Sequence, residues 1–383
     1  MTSRERLLAV LNREIPDCVP ASPDTSNMIP CRLTGRPFWD IYLFNEIPLW
    51  KAYINCVKHF GYDAFFDGLG LSFDELGEID HDTFEAIIHR NDDRIITRYY
   101  KKANGKLFWN DRCSVYHRAD PPSMHMKISN LKLPEEPGSF TDVIRKESPA
   151  GAELMKAARA EMGDHGVIGV FSGTSMLISC EDEIYDYADN PEKYFERREQ
   201  LLEYYEKRFR HIMSLEVRPD FIATGGSGSL IFQTPETFRE LALPIVKKVT
   251  ALCKEFSIPS HIHSCGPEAE LVKICAEETD LTIIDPLEIP PMGNCNLKEL
   301  KELYGDKLVL KGNLHTTNVM LQGTPEQVRE ASRQAIDDAA EGGGFMLSTG
   351  DQCGRDTPDE NMHAMIETAR TYGRYNNDGS LVR

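Results

Sequence analysis

Residues 258–266, Ile-Pro-Ser-His-Ile-His-Ser-Cys-Gly, read as a buried strand that runs out into a loop. Side chains alternate between faces along a strand, so His261, His263 and Cys265 fall on one side of it. Imidazole nitrogen and thiolate sulfur are the donors zinc prefers. Spacing alone does not separate ligation from packing, because a strand-end histidine beside a buried cysteine also packs without a metal. The neighbours of this strand decide.

Working outward, short apolar runs at 19–24, 63–68, 167–173, 221–226, 281–288, 307–313 and 344–351 also read as strands. Helical spacing separates them at 149–162, 174–188, 191–214, 235–256, 267–278, 296–304, 324–341 and 358–374. Asn190-Pro191, Thr324-Pro325 and Thr357-Pro358 each place a polar residue before a first-turn proline, a helix start. Strands alternating with helices imply an α/β fold with a parallel sheet. Eight such units imply a closed (β/α)8 TIM barrel. A doubly wound open sheet is the alternative, but no Gly-rich dinucleotide fingerprint follows any strand.

The N-terminal part decorates that barrel. Residues 1–18 are an extension with a helix at 3–14, and 45–60 has helical spacing. Residues 25–44 read as irregular; a loop of that length is more often functional than idle. Asn104-Gly105, flanked by apolar runs, predicts a β-hairpin near 94–110 inside a β insertion spanning 83–118. Pro121, Pro122, Pro134 and Pro137 make 119–148 a linking excursion, and 375–383 is a polar tail. Residues 1–383 are expected to form a single barrel domain.

Composition narrows the function classes. The chain has 383 residues, 41% hydrophobic, with 43 Lys and Arg against 61 Asp and Glu, a net charge of −18. Nonspecific nucleic-acid binding needs cations to neutralise phosphates, so nucleic acid and anionic membrane surfaces are poor partners. No window approaches the roughly 20 apolar residues of a membrane helix. The first residues read as an amphipathic helix rather than a secretory signal, so the expected location is the cytoplasm. The ten cysteines are scattered, not a disulfide framework. A homodimer is compatible with this chain.

In a closed barrel the C-terminal strand ends converge on the catalytic face. They carry Asp24, Asp67, Ser172 to Thr174, Gly225 to Ser229, the 261–265 group, Asp285 and Glu288, Asn313 and His315, then Asp351 and Cys353. The barrel brings Cys353 to the rim of Cys265, so His263, Cys265 and Cys353 make a three-ligand set with a fourth position open, the pattern of catalytic zinc. Asp24, Asp67 and Asp285 are candidate catalytic carboxylates. Asn27, Trp39, His261, Asn313 and His315 are candidate substrate contacts. The Gly225–Ser229 run could cradle an anion, but it lacks a phosphate-loop lysine and reads as a flexible turn.

Gly342-Gly-Gly-Phe-Met-Leu-Ser-Thr-Gly-Asp351, with Asp356-Thr-Pro-Asp-Glu-Asn361, resembles the C-terminal signature of the uroporphyrinogen decarboxylase superfamily. Lys311-Gly-Asn-Leu314 is similar to its seventh-strand element, and Thr234-Pro-Glu-Thr-Phe238 to the segment after its fourth strand. The resemblance runs from about residue 165 onward and implies a single (β/α)8 barrel. His263-Ser-Cys265-Gly266 resembles the His-x-Cys-Gly zinc motif of the methyltransferase branch. That branch implies Zn2+ and methyl transfer between a small methylated substrate (O-methyl or N-methyl) or thiol and a corrinoid. The corrinoid must sit on a separate partner protein, because the chain lacks Asp-x-His-x-x-Gly. Aligned on Thr357-Pro358, the family cysteine falls at Asp351, two residues before Cys353. Either Cys353 binds from a remodelled loop, or Asp351 supplies an oxygen ligand. The alternatives are a metal-free decarboxylase of a porphyrinogen-like or smaller acid, and a barrel that has become a scaffold.

Overall fold

The computed structural model describes residues 1–383. In chain order its strands are β1 (Ala64–Phe66), β2 (Thr83–Arg90), β3 (Arg94–Ala103), β4 (Lys106–His117), β5 (Ser123–Lys127), β6 (Thr141–Asp142), β7 (Gly166–Phe171), β8 (Phe221–Ala223), β9 (Ser260–His263), β10 (Ile283–Asp285), β11 (Val309–Leu314) and β12 (Phe345–Thr349). The chain divides into two compact units. One comprises Met1–Asp24, Val57–Leu71 and Arg159–Arg383; the other comprises Thr25–Cys56 and Ser72–Ala158.

The first unit is the barrel. Its parallel sheet runs β1-β7-β8-β9-β10-β11-β12. The eighth stave is the 20–22 segment, which makes an isolated parallel bridge from Ala21 to Leu347. Leu347 N–H donates to Pro20 O and Ser22 N–H to Leu347 O, both at 2.9 Å, while Asp63 N–H donates to Ala21 O on the other side. The expected strand 19–24 therefore closes the barrel without becoming a regular ladder. Pro20 and Pro23 have no N–H to give one.

The N-terminal helix Ser3–Leu11 is fixed by a capping box between Thr2 and Glu5. It places Leu7, Val10 and Leu11 against Phe65, Val167, Phe221, Ile283, Val309 and Met346. Burying each large side chain contributes about 1.5–3 kcal/mol, so this plug rigidifies the barrel interior. Arg6 joins it by bonding Asp17 and Asp63.

Two helices differ from expectation. The run 174–188 is helical only over Glu181–Asp189. Leu177 and Ile178 N–H groups go instead to Gln233 Oε1, at 3.0 and 3.4 Å. The run 235–256 splits into Pro235–Leu241 and Leu243–Glu255, because Pro244 cannot donate the bond a continuous helix needs. No helix is long and apolar enough to cross a membrane.

The second unit is built on an antiparallel sheet ordered β5-β4-β3-β2-β6. Asn104 and Gly105, at φ 52° and 70°, form the expected tight turn. The sheet exceeds the predicted 83–118 insertion. Within 119–148, expected to be a plain link, β5 and β6 add to the two edges. Residues 25–44, expected to be irregular, contain the helices Met28–Leu33 and Phe38–Tyr42.

Candidate metal centre

The apolar plug supports a buried charged layer. Phe65 and Phe221 stack at 4.0 Å, and the His261 ring stands edge-on to both. Pairing of β9 with β10 sets His263 beside Asp285. His261 Nε2 and His263 Nδ1 both lie 3.0 Å from Asp285 Oδ1. Lys311 Nζ, projecting from β11, donates to Asp285 Oδ2. Burial opposes the Asp285 charge, but Lys311, His261 and His263 prevail and hold its carboxyl well below the usual range. Burial likewise opposes His263 protonation, yet Asp285 raises that imidazole well above its ordinary value.

Above this layer, ligand atoms of Cys265, Glu288 and Asp351 lie within 4.8 Å of one another. His263 Nε2 is 3.7 Å from Asp351 Oδ1. With Nδ1 held by Asp285, Nε2 is the nitrogen directed at this cluster. A histidine that ligates a metal commonly gives its other ring N–H to a carboxylate in this way. Glu288 is steadied by Gly266 N–H, which donates to its Oε2 at 2.5 Å. Asp351 holds φ 98°, a strained conformation for a residue with a side chain. One thiol, two carboxylates and one imidazole are a donor set that fits zinc.

Residues 226–372 match the family model for uroporphyrinogen decarboxylase (URO-D). The cluster residues Cys265, Glu288 and Asp351 all fall inside the matched residues. Over 139 residues, 36% of the chain, it is 27% identical to the methylcobamide:CoM methyltransferase MtbA of Methanosarcina mazei. Over 162 residues, 41% of the chain, it is 29% identical to a methylated-thiol–coenzyme M methyltransferase of the same organism. The matches span only 37% and 39% of those relatives. A solved methyltransferase structure from Methanosarcina mazei shares the fold with TM-score 0.60 and 16% identity, over 96% of this chain and 98% of that one.

The other predicted site residues are placed as follows. Cys353 is fully buried; burial pushes its thiol up to about 12, and Thr349 and Thr357 hydrogen-bond it. Its sulfur is outside the three-residue cluster, whereas Asp351 is inside it. The backbone of Asp24 donates its N–H to Thr349 Oγ1 at 3.0 Å, and its carbonyl oxygen accepts Cys353 N–H at 2.8 Å. Asp67 Oδ2 is 3.8 Å from His261 Nδ1. Asn313 Nδ2 donates to Leu287 O at 3.1 Å. His315 Nδ1 accepts the N–H groups of Thr317 and Asn318 and borders a cavity of about 500 Å³. Asn27 and Trp39 lie in the second unit. There Asn27 bonds Tyr42, and Trp39 packs with Leu43, Ile95 and Tyr116. The Gly225–Ser229 segment is knit rather than flexible: Ser229 N–H donates to Ser264 Oγ, and Gln233 Nε2 to Ser229 O.

Sequence reasoning missed two members. Glu288 stood among the strand-end residues, but its part depends on Gly266 N–H turning it toward Cys265. Lys311 did carry a signal, a lone cation inside the apolar run Val309-Leu-Lys-Gly-Asn-Leu314.

Proposed function

We propose that this protein is a zinc-dependent methyltransferase, moving a methyl group between a small methylated substrate or thiol and a corrinoid held by a separate protein. The observation that carries the proposal is the convergence of Cys265, Glu288 and Asp351 beside His263. The similarity to methyltransferases over part of the chain supports it. His263, Cys265, Asp351 and Glu288 would hold the ion. A bound zinc ion supplies a Lewis acid, which polarises a leaving heteroatom or lowers the pKa of an acceptor thiol. Among four donors, one carboxylate can yield its place to a substrate atom, which leaves the open position that catalytic sites need.

The remaining work belongs to the chain's own side chains. Asp285 keeps the His263 Nδ1 proton in place, so Nε2 keeps its lone pair for the ion. Lys311 balances the Asp285 charge within the barrel. The Phe65–Phe221 stack excludes water from below. Asp24 and Asp67 are the carboxylates that would orient a substrate or move a proton. Phe171 at the end of β7, Ile231 and Phe232 after β8, and Met292 after β10 are exposed. Exposed apolar groups near strand ends suit a protein partner, here the corrinoid carrier.

The test is metal analysis joined to methyl transfer from methylcobalamin to a panel of thiols, and from methylated substrates to reduced cobalamin. The proposal expects stoichiometric zinc and a transfer activity that chelation and Cys265→Ser both remove. Turnover that survives both treatments would contradict it and favour the metal-free decarboxylase.

A further inference from the structure

We infer that Glu268 is a positioning residue: its buried side chain grips the backbone of Leu287 and thereby holds Glu288 opposite Cys265. This rests on the reading of the Cys265–Glu288–Asp351 cluster as a metal centre, and adds to it a residue outside the donor set.

Glu268 lies just beyond the Cys265–Gly266 turn, on the loop that follows β9, and is buried. Its Oε2 accepts the Leu287 N–H at 3.0 Å. Leu287 has φ 60°, a left-handed conformation that leucine seldom adopts. A backbone in that region persists only when its surroundings hold it there. The grip is returned from the other side, where Gly266 N–H donates to Glu288 Oε2 at 2.5 Å. Each loop thus offers a carboxyl oxygen to the other's peptide N–H.

Three further bonds fix the same loop. Ser264 N–H donates to Asp285 O at 2.8 Å, and Cys295 N–H to Glu288 O at 3.0 Å. Asn313 Nδ2 donates to Leu287 O. A Cβ added at Gly293 would fall 2.2 Å from Glu288 O, so the loop folds tightly back on the residue it presents.

The second Glu268 oxygen, Oε1, is buried without a hydrogen-bond partner. A buried acceptor left unmade is costly, and an apolar side chain of the same size would avoid that cost. What the carboxyl adds over an apolar side chain is its bond to the Leu287 N–H. Burial also drives its pKa well above the ordinary range, and glutamine, which keeps an oxygen for the Leu287 N–H, is its isostere.

The test compares Glu268→Gln, Glu268→Leu and Glu288→Gln in the full chain. One readout is amide hydrogen exchange over residues 286–289. The other is Co(II) titration, followed through the thiolate-to-cobalt absorption. In Glu268→Leu the Leu287 amide should exchange at least about tenfold faster. Co(II) affinity should fall about 10–100-fold, the usual effect of losing an outer partner, with a spectrum like that of Glu288→Gln. Glu268→Gln should behave like the wild type in both readouts. A folded Glu268→Leu that keeps Leu287 protection and the wild-type spectrum overturns the inference, even if its stability is lower. If wild-type protein binds no Co(II), the metal reading fails, and the exchange data alone still decide the clasp. Should Glu268→Leu not fold, Glu268→Asp, one methylene too short to reach Leu287, is read in its place by the same criteria.

Discussion

Asp285→Asn strikes the charged layer at its centre. The carboxylate accepts from His261 Nε2 and His263 Nδ1 at 3.0 Å each, and from Lys311 through its second oxygen. Asparagine keeps one acceptor oxygen and loses the charge. Lys311 is then a buried cation without its counter-ion, and removing one partner of such a pair costs about 3–5 kcal/mol. One imidazole contact is retained, so the lower end of that range is expected, about 3 kcal/mol, roughly a hundredfold in the folding equilibrium. Urea denaturation reads it as a lower midpoint with an unchanged slope. Zinc affinity should fall about 10–100-fold as His263 loses its orienting carboxylate. The pH dependence has two limbs. The folded Asp285 pKa is depressed, so its stabilisation is present above the unfolded value of about 4 and lost as pH falls below it. In metal-free protein the folded His263 pKa is raised, so its stabilisation is complete below about 6.5 and lost as pH rises through the folded value. Both limbs should flatten in Asp285→Asn. The double change Asp285→Leu with Lys311→Met should recover part of the loss, since an apolar pair can replace a buried ion pair. A single-mutant loss under about 1 kcal/mol would refute the reasoning, because contacts worth so little could not be holding the layer.

Asp351→Gly removes a donor and also a strained backbone worth about 1–3 kcal/mol; its urea midpoint should be no lower than wild type while zinc affinity drops. Gly225→Ala places a Cβ 2.8 Å from the backbone N and O of His263. Neither strand can move cheaply there, so it should cost about 1–3 kcal/mol by denaturation and weaken metal binding together. Burial, with Arg13 adding to it, lowers Lys301 from 10.5 to about 8. The unfolded chain then binds more protons between those values, so stability should rise with pH from 8 to 10.5, and Lys301→Met should lose that slope in denaturation curves taken across the range.

The barrel was legible because its strand centres are apolar and bounded by helix starts that a proline marks. Its ends were less so. The 19–24 stave is interrupted by Pro20 and Pro23, so it closes the sheet through one bridge. Residues 174–180 look helical by spacing, but the Leu177 and Ile178 N–H groups are taken by Gln233, a tertiary contact with no local trace. β5 and β6 escaped notice because prolines dominate 119–148, while pairing partners lie far away in sequence. At the site, the gathering of His263, Cys265 and Asp351 was readable from strand-end position and resemblance. That Asp351 joins the cluster while the Cys353 thiol turns into the core was not, because two residues of loop geometry separate the half-buried carboxylate from the buried sulfur. Glu268 and Glu288 belong to a clasp between loops, which only the folded chain assembles.

Metal stoichiometry in purified wild type, Cys265→Ser and Cys353→Ser, after dialysis against zinc, tests the central claim most directly. The account predicts about one ion per chain in the wild type and in Cys353→Ser, and none in Cys265→Ser. Zinc retained by Cys265→Ser, or absent from the wild type, would contradict it.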